Sequence, residues 1–167
     1  MALLSILHYP DERLHQIAQP VKALDQQTKQ YISDMIETMY AAGGIGLAAT
    51  QVNIQQRIFV MDTSEEKNQV MVFVNPEITN RDGQISCEEG CLSIPGFLGT
   101  VNRSKNIAIK AINQQGNTFS FQATGLSAIC IQHEIDHLNG KLFVEYLSLL
   151  KQQRIRQKLK KLHESNM

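Results

Sequence analysis

Cysteine is scarce in this sequence, and long apolar runs are missing from it. The 167 residues include three cysteines, a small and odd number that argues against a disulfide framework and predicts reduced thiols free for chemistry or metal binding. No stretch approaches the roughly 18 apolar residues of a membrane span. The apolar segment ALLSIL at 2–7 is too short for a signal peptide and lacks its basic flank. These absences predict a cytoplasmic protein without a membrane segment.

Net charge is also lacking, but the charges are unevenly placed. The whole chain has a formal net charge of zero, whereas residues 151–167 carry 6 basic groups and 1 acidic group. Ile155, Leu159 and Leu162 recur there at helical spacing, which predicts an amphipathic C-terminal helix over 148–165 with a basic face. That face is either the solvated side of a helix packed on the core or a contact surface for a polyanion such as RNA.

The segment QHEIDH at 132–137 carries the clearest chemical signal. On a helix, His133 and His137 lie one turn apart on the same face, so both imidazoles can reach one metal ion. A chance histidine pair on an amphipathic helix is the alternative interpretation. The neighbouring Glu134 favours the metal site, because a carboxylate beside the ligands can serve as a base.

The third ligand of this site stays open on the residues alone. The metzincin pattern H-E-x-x-H-x-x-G-x-x-H matches as far as its glycine and fails at Phe143, which cannot bind a metal. A gluzincin-type endopeptidase needs a distant glutamate, and the candidates lie too close or in the basic tail. Cys130 falls on the same helical face as the histidines, and Cys91 lies in the segment CEEGCLSIPG. Geometry does not choose between these two cysteines.

The remaining pattern predicts an α+β fold in one domain, 1–167. The chain is 43% hydrophobic and long enough for a sizeable core. Helical periodicity indicates helices over 25–42, stopped by Gly43 and Gly44, and over 125–139, ended by Gly140. Strand-like runs lie at 57–62, 70–76, 107–112 and 118–123, and the last two form a hairpin. We expect mixed or antiparallel sheets surrounding a central metal-binding helix, with the C-terminal helix added to this body.

Three segments, GIGLAATQ at 44–51, EGCLS at 89–93 and QHEIDH, resemble in their order and spacing the signature motifs of peptide deformylases of the bacterial type I class. The resemblance covers essentially the whole chain. It implies a metal-dependent hydrolase that removes the formyl group from the N-terminal methionine of nascent polypeptides and releases formate; a zincin-type endopeptidase is the alternative. GIGLAATQ also matches the dinucleotide fingerprint, but that fingerprint follows a strand, whereas a helix is predicted here.

The resemblance implies a role for each matched residue. The metal ligands are Cys91, His133 and His137, with a water molecule in the fourth position. Glu134 takes and delivers the proton, while the side chain of Gln51 and the backbone N–H of Leu92 stabilise the oxyanion. The residues that match substrate-binding positions are Gly44, Ile45, Gly46, Gly90, Leu126, Ile129 and Cys130. Cys130 is then a packing thiol rather than a ligand.

The resemblance assigns fewer roles to residues that neither bind the metal nor contact the substrate. Glu89 and Arg103 match an ion pair beneath the site. Asp136 belongs to the signature but has no assigned role. We expect His8, His15 and His163 to be exposed or structural.

Metal and partners follow from the same resemblance. A Cys/His/His set suits zinc and accepts iron, nickel or cobalt, and the resemblance implies ferrous iron, Fe2+. It also implies a formyl-methionyl nascent peptide as substrate, a monomer, and docking on the ribosome through the basic helix. Related bacterial enzymes often carry an arginine after EGCLSIP that contacts the substrate backbone. Leu98 stands at that place, within GFLGT at 96–100, which puts those substrate contacts in question.

Overall fold

The computed structural model describes residues 2–165, and the side chains of 163–165 fall outside the description. The helices within this range are α1 (Gln26–Ala41), α2 (Leu126–Leu138) and α3 (Leu149–Ser165). The strands are β1 (Gly46–Ala48), β2 (Ile58–Met61), β3 (Met71–Asp82), β4 (Ile85–Cys91), β5 (Ile94–Arg103), β6 (Asn106–Ile112) and β7 (Thr118–Thr124). The expected α+β class with a C-terminal helix is confirmed.

A five-stranded antiparallel sheet separates the first two helices. Its strand order is β1-β2-β3-β6-β7. Phe59 of β2 packs in one cluster with α2, while its neighbour Val60 packs in another with α1. Successive side chains of a strand point to opposite faces, so a strand covered by a helix on each side is apolar throughout. This accounts for the unbroken run IFVM, in which every residue is buried.

A hairpin of β4 and β5 forms the second sheet, and it reaches α2 through the side chains of Glu89, Cys91 and Arg103. Its inner residues Ile94 and Val101 share a third core cluster with Phe143 and with Ile155 and Leu159 of α3. The predicted apolar face of the C-terminal helix therefore docks through Ile155 and Leu159, whereas Leu162 is 53% exposed. Between residues 2 and 165, no helix is both long enough and apolar enough to cross a bilayer.

Three strands escaped prediction for identifiable reasons. β1 has three residues and begins with a glycine, β4 is interrupted by polar residues and Gly90, and β5 contains Pro95 and two glycines. All of these lower strand propensity. β3 continues six residues past Pro76, where the sequence predicted its end, because a register irregularity between Val74 and Glu77 accommodates the proline.

Candidate metal and active site

Three possible metal-binding atoms lie close together, two from histidines of α2 and one from Cys91 at the end of β4. His137 Nε2 lies 3.2 Å from His133 Nε2 and 3.2 Å from Cys91 Sγ, and one ligand atom from each residue lies within 4.8 Å of the others. Nitrogen and sulfur ligands about 2.0–2.3 Å from one tetrahedral ion are separated by about 3.3–3.6 Å. The two separations from His137 are therefore close to those expected around a single metal ion. Cys130, the other candidate thiol, instead contacts the carbonyl of Ile45, with Sγ 3.9 Å from the oxygen.

Local features of the chain bring the donors together. α2 begins after Gly125 at φ 60° and is followed by Gly140 at φ 77°, a left-handed backbone that suits glycine at a helix end. Arg57 donates hydrogen bonds to the carbonyl of Leu138 at 3.2 Å and to Asn139 Oδ1 at 3.0 Å, so a cation stabilises the C-terminal end of α2. Cys91 ends β4 next to a register irregularity, and such irregularities redirect side chains.

Glu89 orients His133. Glu89 Oε1 accepts a hydrogen bond from His133 Nδ1 at 2.9 Å, and both carboxylate oxygens of Glu89 accept bonds of 2.8 Å from Arg103. Burial raises the pKa of Glu89, but the hydrogen bonds from Arg103 and His133 outweigh it and lower the pKa to about 2. The ionised carboxylate keeps a proton on His133 Nδ1 and turns Nε2 towards the other donors.

The charges around the donors favour a cation. Burial lowers the pKa of His133, but Cys91, Glu134 and Glu89 outweigh it and raise that pKa well above its usual value. The groups that favour a positive charge on His133 would equally favour a divalent cation bound beside it. Burial together with the nearby His133 lowers the pKa of His137 well below its usual value. A neutral imidazole is the form that binds metals, so the donor set fits a divalent transition metal.

Glu134 follows His133 on α2 and faces the same cavity. It is buried, and its Oε1 has no hydrogen-bond partner among the described residues. Burial raises the pKa of this carboxyl to about 7, although the charge of His133 lowers it in part. A carboxyl group that is not committed to a protein partner is able to hold and pass on a proton.

The side-chain amide of Gln51 is fixed from both ends. Its Oε1 accepts the backbone N–H of Ala48 at 2.9 Å. Its Nε2 donates to Ser93 Oγ at 3.0 Å and points at Cys91 Sγ from 3.5 Å. One amide N–H is therefore bonded to Ser93, and the other points at Cys91 of the candidate metal centre. Ser93 was not singled out from the sequence, although its position in EGCLS was the available signal.

A cavity of about 500 Å³ opens beside these residues. It is lined by all the positions expected to bind substrate, namely Gly44, Ile45, Gly46, Gly90, Leu126, Ile129 and Cys130, and by Gln51, Cys91, Leu92, His133 and Glu134. Cys87 and Glu88 also line it and were not predicted. Leu98 is 65% exposed, and a β-carbon placed on Gly90 would lie 3.0 Å from Leu98 Cδ2. Leu98 therefore stands at the rim of the cavity.

The other predicted residues have varied surroundings. Asp136 lies outside the cavity and accepts hydrogen bonds from Arg103 and Tyr146. Arg103 was predicted only as the partner of Glu89, and Tyr146 was not predicted. His8 and His15 are exposed as expected, and His15 Nδ1 lies 3.2 Å from the carbonyl of Gly140. The side chain of His163 lies outside the described residues.

Comparisons with known proteins agree with one another. A family profile described as Polypeptide deformylase matches residues 3–153. The chain is 58% identical over 167 residues to peptide deformylase of Chromobacterium violaceum, covering 100% of both chains. It is 55% identical over 166 residues to peptide deformylase 1 of Burkholderia multivorans, covering 99% of this chain and 92% of the relative.

Solved structures give the same result. The crystal structure of a peptide deformylase from Legionella pneumophila matches with a TM-score of 0.94 and 46% identity, over 98% of this chain and 97% of that one. A peptide deformylase from Ehrlichia chaffeensis in complex with actinonin matches with a TM-score of 0.93 and 39% identity, over 96% and 98% of the two chains. The endopeptidase alternative receives no support from these relatives.

Proposed function

The chain belongs to the peptide deformylase family, and on that premise we propose how its residues remove the formyl group from formyl-methionyl peptides. The observation that carries the proposal is the meeting of Cys91, His133 and His137 donor atoms within 4.8 Å on the wall of the cavity that Glu134 also lines. The whole chain, 1–167, acts as one domain. The cavity holds the substrate, and the catalytic groups act at this wall.

The three donors hold a divalent transition metal, and ferrous iron is the metal we expect. A metal bound there acts as a Lewis acid towards the formyl oxygen and lowers the pKa of a water molecule. Zinc, nickel or cobalt can occupy the same ligand set. The partly buried thiol of Cys91 and the two buried imidazoles would hold such an ion beside the cavity.

Glu134 and Gln51 supply the proton transfer and the charge stabilisation. Glu134 Oε1 has no partner among the described residues, so it can accept a proton from the attacking water and deliver it to the departing amine. The amide of Gln51, held by Ala48 and Ser93, donates a hydrogen bond to the oxyanion together with the backbone N–H of Leu92. Donors fixed before the reaction cost little reorganisation when charge develops on the oxygen.

The cavity selects the first side chain of the substrate. One wall of the cavity is apolar and consists of Ile45, Leu126, Ile129 and Cys130. This wall suits the unbranched thioether side chain of methionine. Gly44, Gly46 and Gly90 allow the backbone of an extended peptide to approach closely. The buried thiol of Cys130 packs in this wall, and burial raises its pKa, which favours an inert neutral group.

The basic helix α3 serves as the docking surface for the ribosome, where nascent chains emerge in the cytoplasm, and the enzyme acts as a monomer. Arg154, Lys160 and Lys161 line one surface groove of α3 and are exposed. Changing these three residues to glutamine should abolish cosedimentation with ribosomes at moderate salt and leave turnover of a short peptide unchanged. The matched control changes the exposed Lys22, Lys105 and Lys110; equal loss in both variants would indicate non-specific charge attraction.

Anaerobic turnover by the ferrous-loaded protein tests the catalytic site. Formyl-Met-Ala-Ser should release formate, whereas Met-Ala-Ser and a peptide with only internal bonds should stay intact. Glu134→Gln should lower kcat by at least about 100-fold while metal is retained. Cys91→Ser should abolish metal binding and turnover, and Cys87→Ser is the matched control on the same strand. Loss of metal on Cys130→Ser instead, or cleavage of internal bonds, would contradict the proposal.

A further inference from the structure

Arg103 lies between two carboxylates beneath His133. Its Nε and Nη2 donate to Glu89, and its Nη1 donates to Asp136 Oδ2 at 2.6 Å. The side chains of Arg103 and Glu89 are 4% exposed, and that of Asp136 is 19% exposed. One guanidinium is therefore shared between two carboxylates in a mostly buried setting, and the three groups together keep a net negative charge next to His133. Charges in such surroundings are screened weakly by water.

Tyr146 closes the outer end of this arrangement. Its hydroxyl donates to Asp136 Oδ2 at 2.8 Å, and its ring lies beneath Arg103, with 5.0 Å between the ring centroid and the guanidinium carbon. Lys141 Nζ lies 4.2 Å from the same centroid. Hydrogen bonds thus run without a break from His133 through Glu89, Arg103 and Asp136 to a tyrosine that is 41% exposed.

The two histidines differ in this respect. His133 Nδ1 donates into the chain of hydrogen bonds, whereas the buried Nδ1 of His137 has no partner among the described residues. Partners of a ligating imidazole fix its orientation and raise its basicity. The surrounding residues can therefore adjust how strongly His133 binds the metal, whereas His137 has no such partner among the described residues.

We propose that Asp136 and Tyr146 are positioning residues that act through Arg103 and Glu89 to set how strongly His133 binds the metal. The inference rests on the proposed function of Cys91, His133 and His137. Asp136 takes part of the hydrogen-bonding capacity of Arg103, so Glu89 keeps more negative charge and accepts more strongly from His133. Tyr146 holds the Asp136 carboxylate against Arg103. Removing the charge of Asp136 leaves Arg103 to Glu89 alone and weakens His133 as a ligand.

Cobalt(II) binding followed by absorbance tests the proposal. Removing a direct partner of a ligating histidine typically lowers metal affinity about 10- to 100-fold; since Asp136 is two contacts further away, Asp136→Asn should lower it about 3- to 10-fold. Asp136→Glu, which restores the charge, should recover most of the affinity. Tyr146→Phe should weaken binding in the same direction and less. Asp11→Asn, which breaks the exposed pair with Arg13, is the matched control and should leave the affinity unchanged.

A second measurement separates positioning from folding. In the zinc-loaded protein, the proton resonance of His133 Nδ1–H should move upfield in Asp136→Asn and return in Asp136→Glu, because a weaker acceptor deshields that proton less. Unchanged cobalt affinity and an unchanged resonance in Asp136→Asn would overturn the proposal, even if the melting temperature falls. Should Asp136→Asn not fold, the sign of the effect in Tyr146→Phe decides the question.

The cobalt spectrum also tests the site on which the inference rests. The wild-type complex should show a thiolate-to-cobalt absorption band that is lost in Cys91→Ser. Absence of that band in the wild type would overturn the metal site itself and the inference with it. Presence of the band together with unaltered affinity in the Asp136 and Tyr146 variants would overturn the inference alone.

Discussion

Gly46 faces Glu134 so closely that no larger residue fits between them. A β-carbon placed on Gly46 would lie 2.6 Å from Glu134 Oε2 and 2.7 Å from Cys130 Sγ. Both neighbours belong to the buried helix α2, so neither can move away without cost. Because glycine has no side chain, Gly46 allows Glu134, the proposed proton carrier, to keep its position.

Gly46→Ala should impair turnover far more than it impairs folding. The added methyl group displaces the carboxylate of Glu134, and a displacement of about 1 Å can cost about 100-fold in rate. We expect a loss of at least about 10-fold in kcat, measured with formyl-Met-Ala-Ser, and a small change in melting temperature. The double variant with Cys130→Ala relieves the contact with sulfur only. Full recovery in that variant would mean that Glu134 was not displaced.

Added metal should stabilise the folded protein. The ligand atoms are already within 4.8 Å of one another, so binding to the folded state should exceed binding to the unfolded chain. At a free metal concentration 100 times the Kd, the gain is about 2.7 kcal/mol. Differential scanning fluorimetry with zinc or cobalt should show a rise of several degrees in Tm. Cys91→Ser should remove the rise and Cys87→Ser should keep it; a rise that survives in Cys91→Ser would point to a different ligand.

Leu98 should give the enzyme a preference for apolar residues after the formyl-methionine. This side chain is 65% exposed at the rim of the cavity, next to Gly90, and a leucine there offers contact area but no hydrogen bond to a passing peptide. Leu98→Arg should raise kcat/KM for peptides with an acidic third residue by about 2- to 5-fold relative to apolar ones, the scale of one exposed ion pair. Comparison of formyl-Met-Ala-Glu with formyl-Met-Ala-Leu measures this ratio. An unchanged ratio would place the third residue away from Leu98.

Sequence periodicity predicted the helices that build the site better than the strands around it. The predicted helix 125–139 agrees with α2 (Leu126–Leu138) within one residue at each end, because glycines punctuate a long apolar run. The hairpin strands β4 and β5 were missed because glycines, a proline and charged residues interrupt their pattern. Their strand conformation depends on pairing with each other and on packing against Phe143 and α3, which local propensity does not contain.

The same distinction holds within the site. Helical geometry alone placed His133 and His137 on one face, but it could not decide between Cys91 and Cys130 as a partner. Cys91 reaches the histidines only because the hairpin packs over α2, a tertiary contact. Ser93, which accepts a hydrogen bond from Gln51, is likewise 42 residues away from it in sequence. The resemblance to the deformylase motifs identified Cys91 as the third ligand, because a family motif reflects contacts that form only in the folded protein.

The hydrogen bond between Tyr40 and Asp62 should make the stability of the fold depend on pH. This effect does not involve the metal site. Tyr40 Oη donates to Asp62 Oδ2 at 2.5 Å, and the hydroxyl and backbone N–H of Ser64 donate to Asp62 Oδ1. Burial raises the pKa of Asp62, but the bonds from Ser64, Tyr40 and Gln69 outweigh it and lower the pKa to about 2. Asp62 therefore stabilises the fold above its unfolded pKa of about 4, and this contribution disappears as the pH falls towards 2.

Asp62→Asn should lower the free energy of unfolding at pH 7 by about 1–3 kcal/mol, the cost of weakening a buried set of hydrogen bonds. The difference from the wild type should shrink between about pH 4 and pH 2, where the wild-type carboxylate takes up its proton. Urea unfolding at several pH values measures it, and Asp82→Asn, at an exposed position, is the control. A difference that stays constant down to pH 2 would mean that the charge of Asp62 is not what stabilises the fold.

The pair of Tyr40 and Asp62 should also make stability depend on pH in the alkaline range. Burial, together with the hydrogen bond to Asp62, raises the pKa of Tyr40 to about 12. Because the folded state then keeps a proton that the unfolded chain releases near pH 10, the wild type should lose stability between about pH 10 and pH 12. Tyr40→Phe has no proton to lose at that position, so its stability should fall less over this interval. Equal slopes for the two proteins in urea unfolding would show that Tyr40 ionises equally easily in both states.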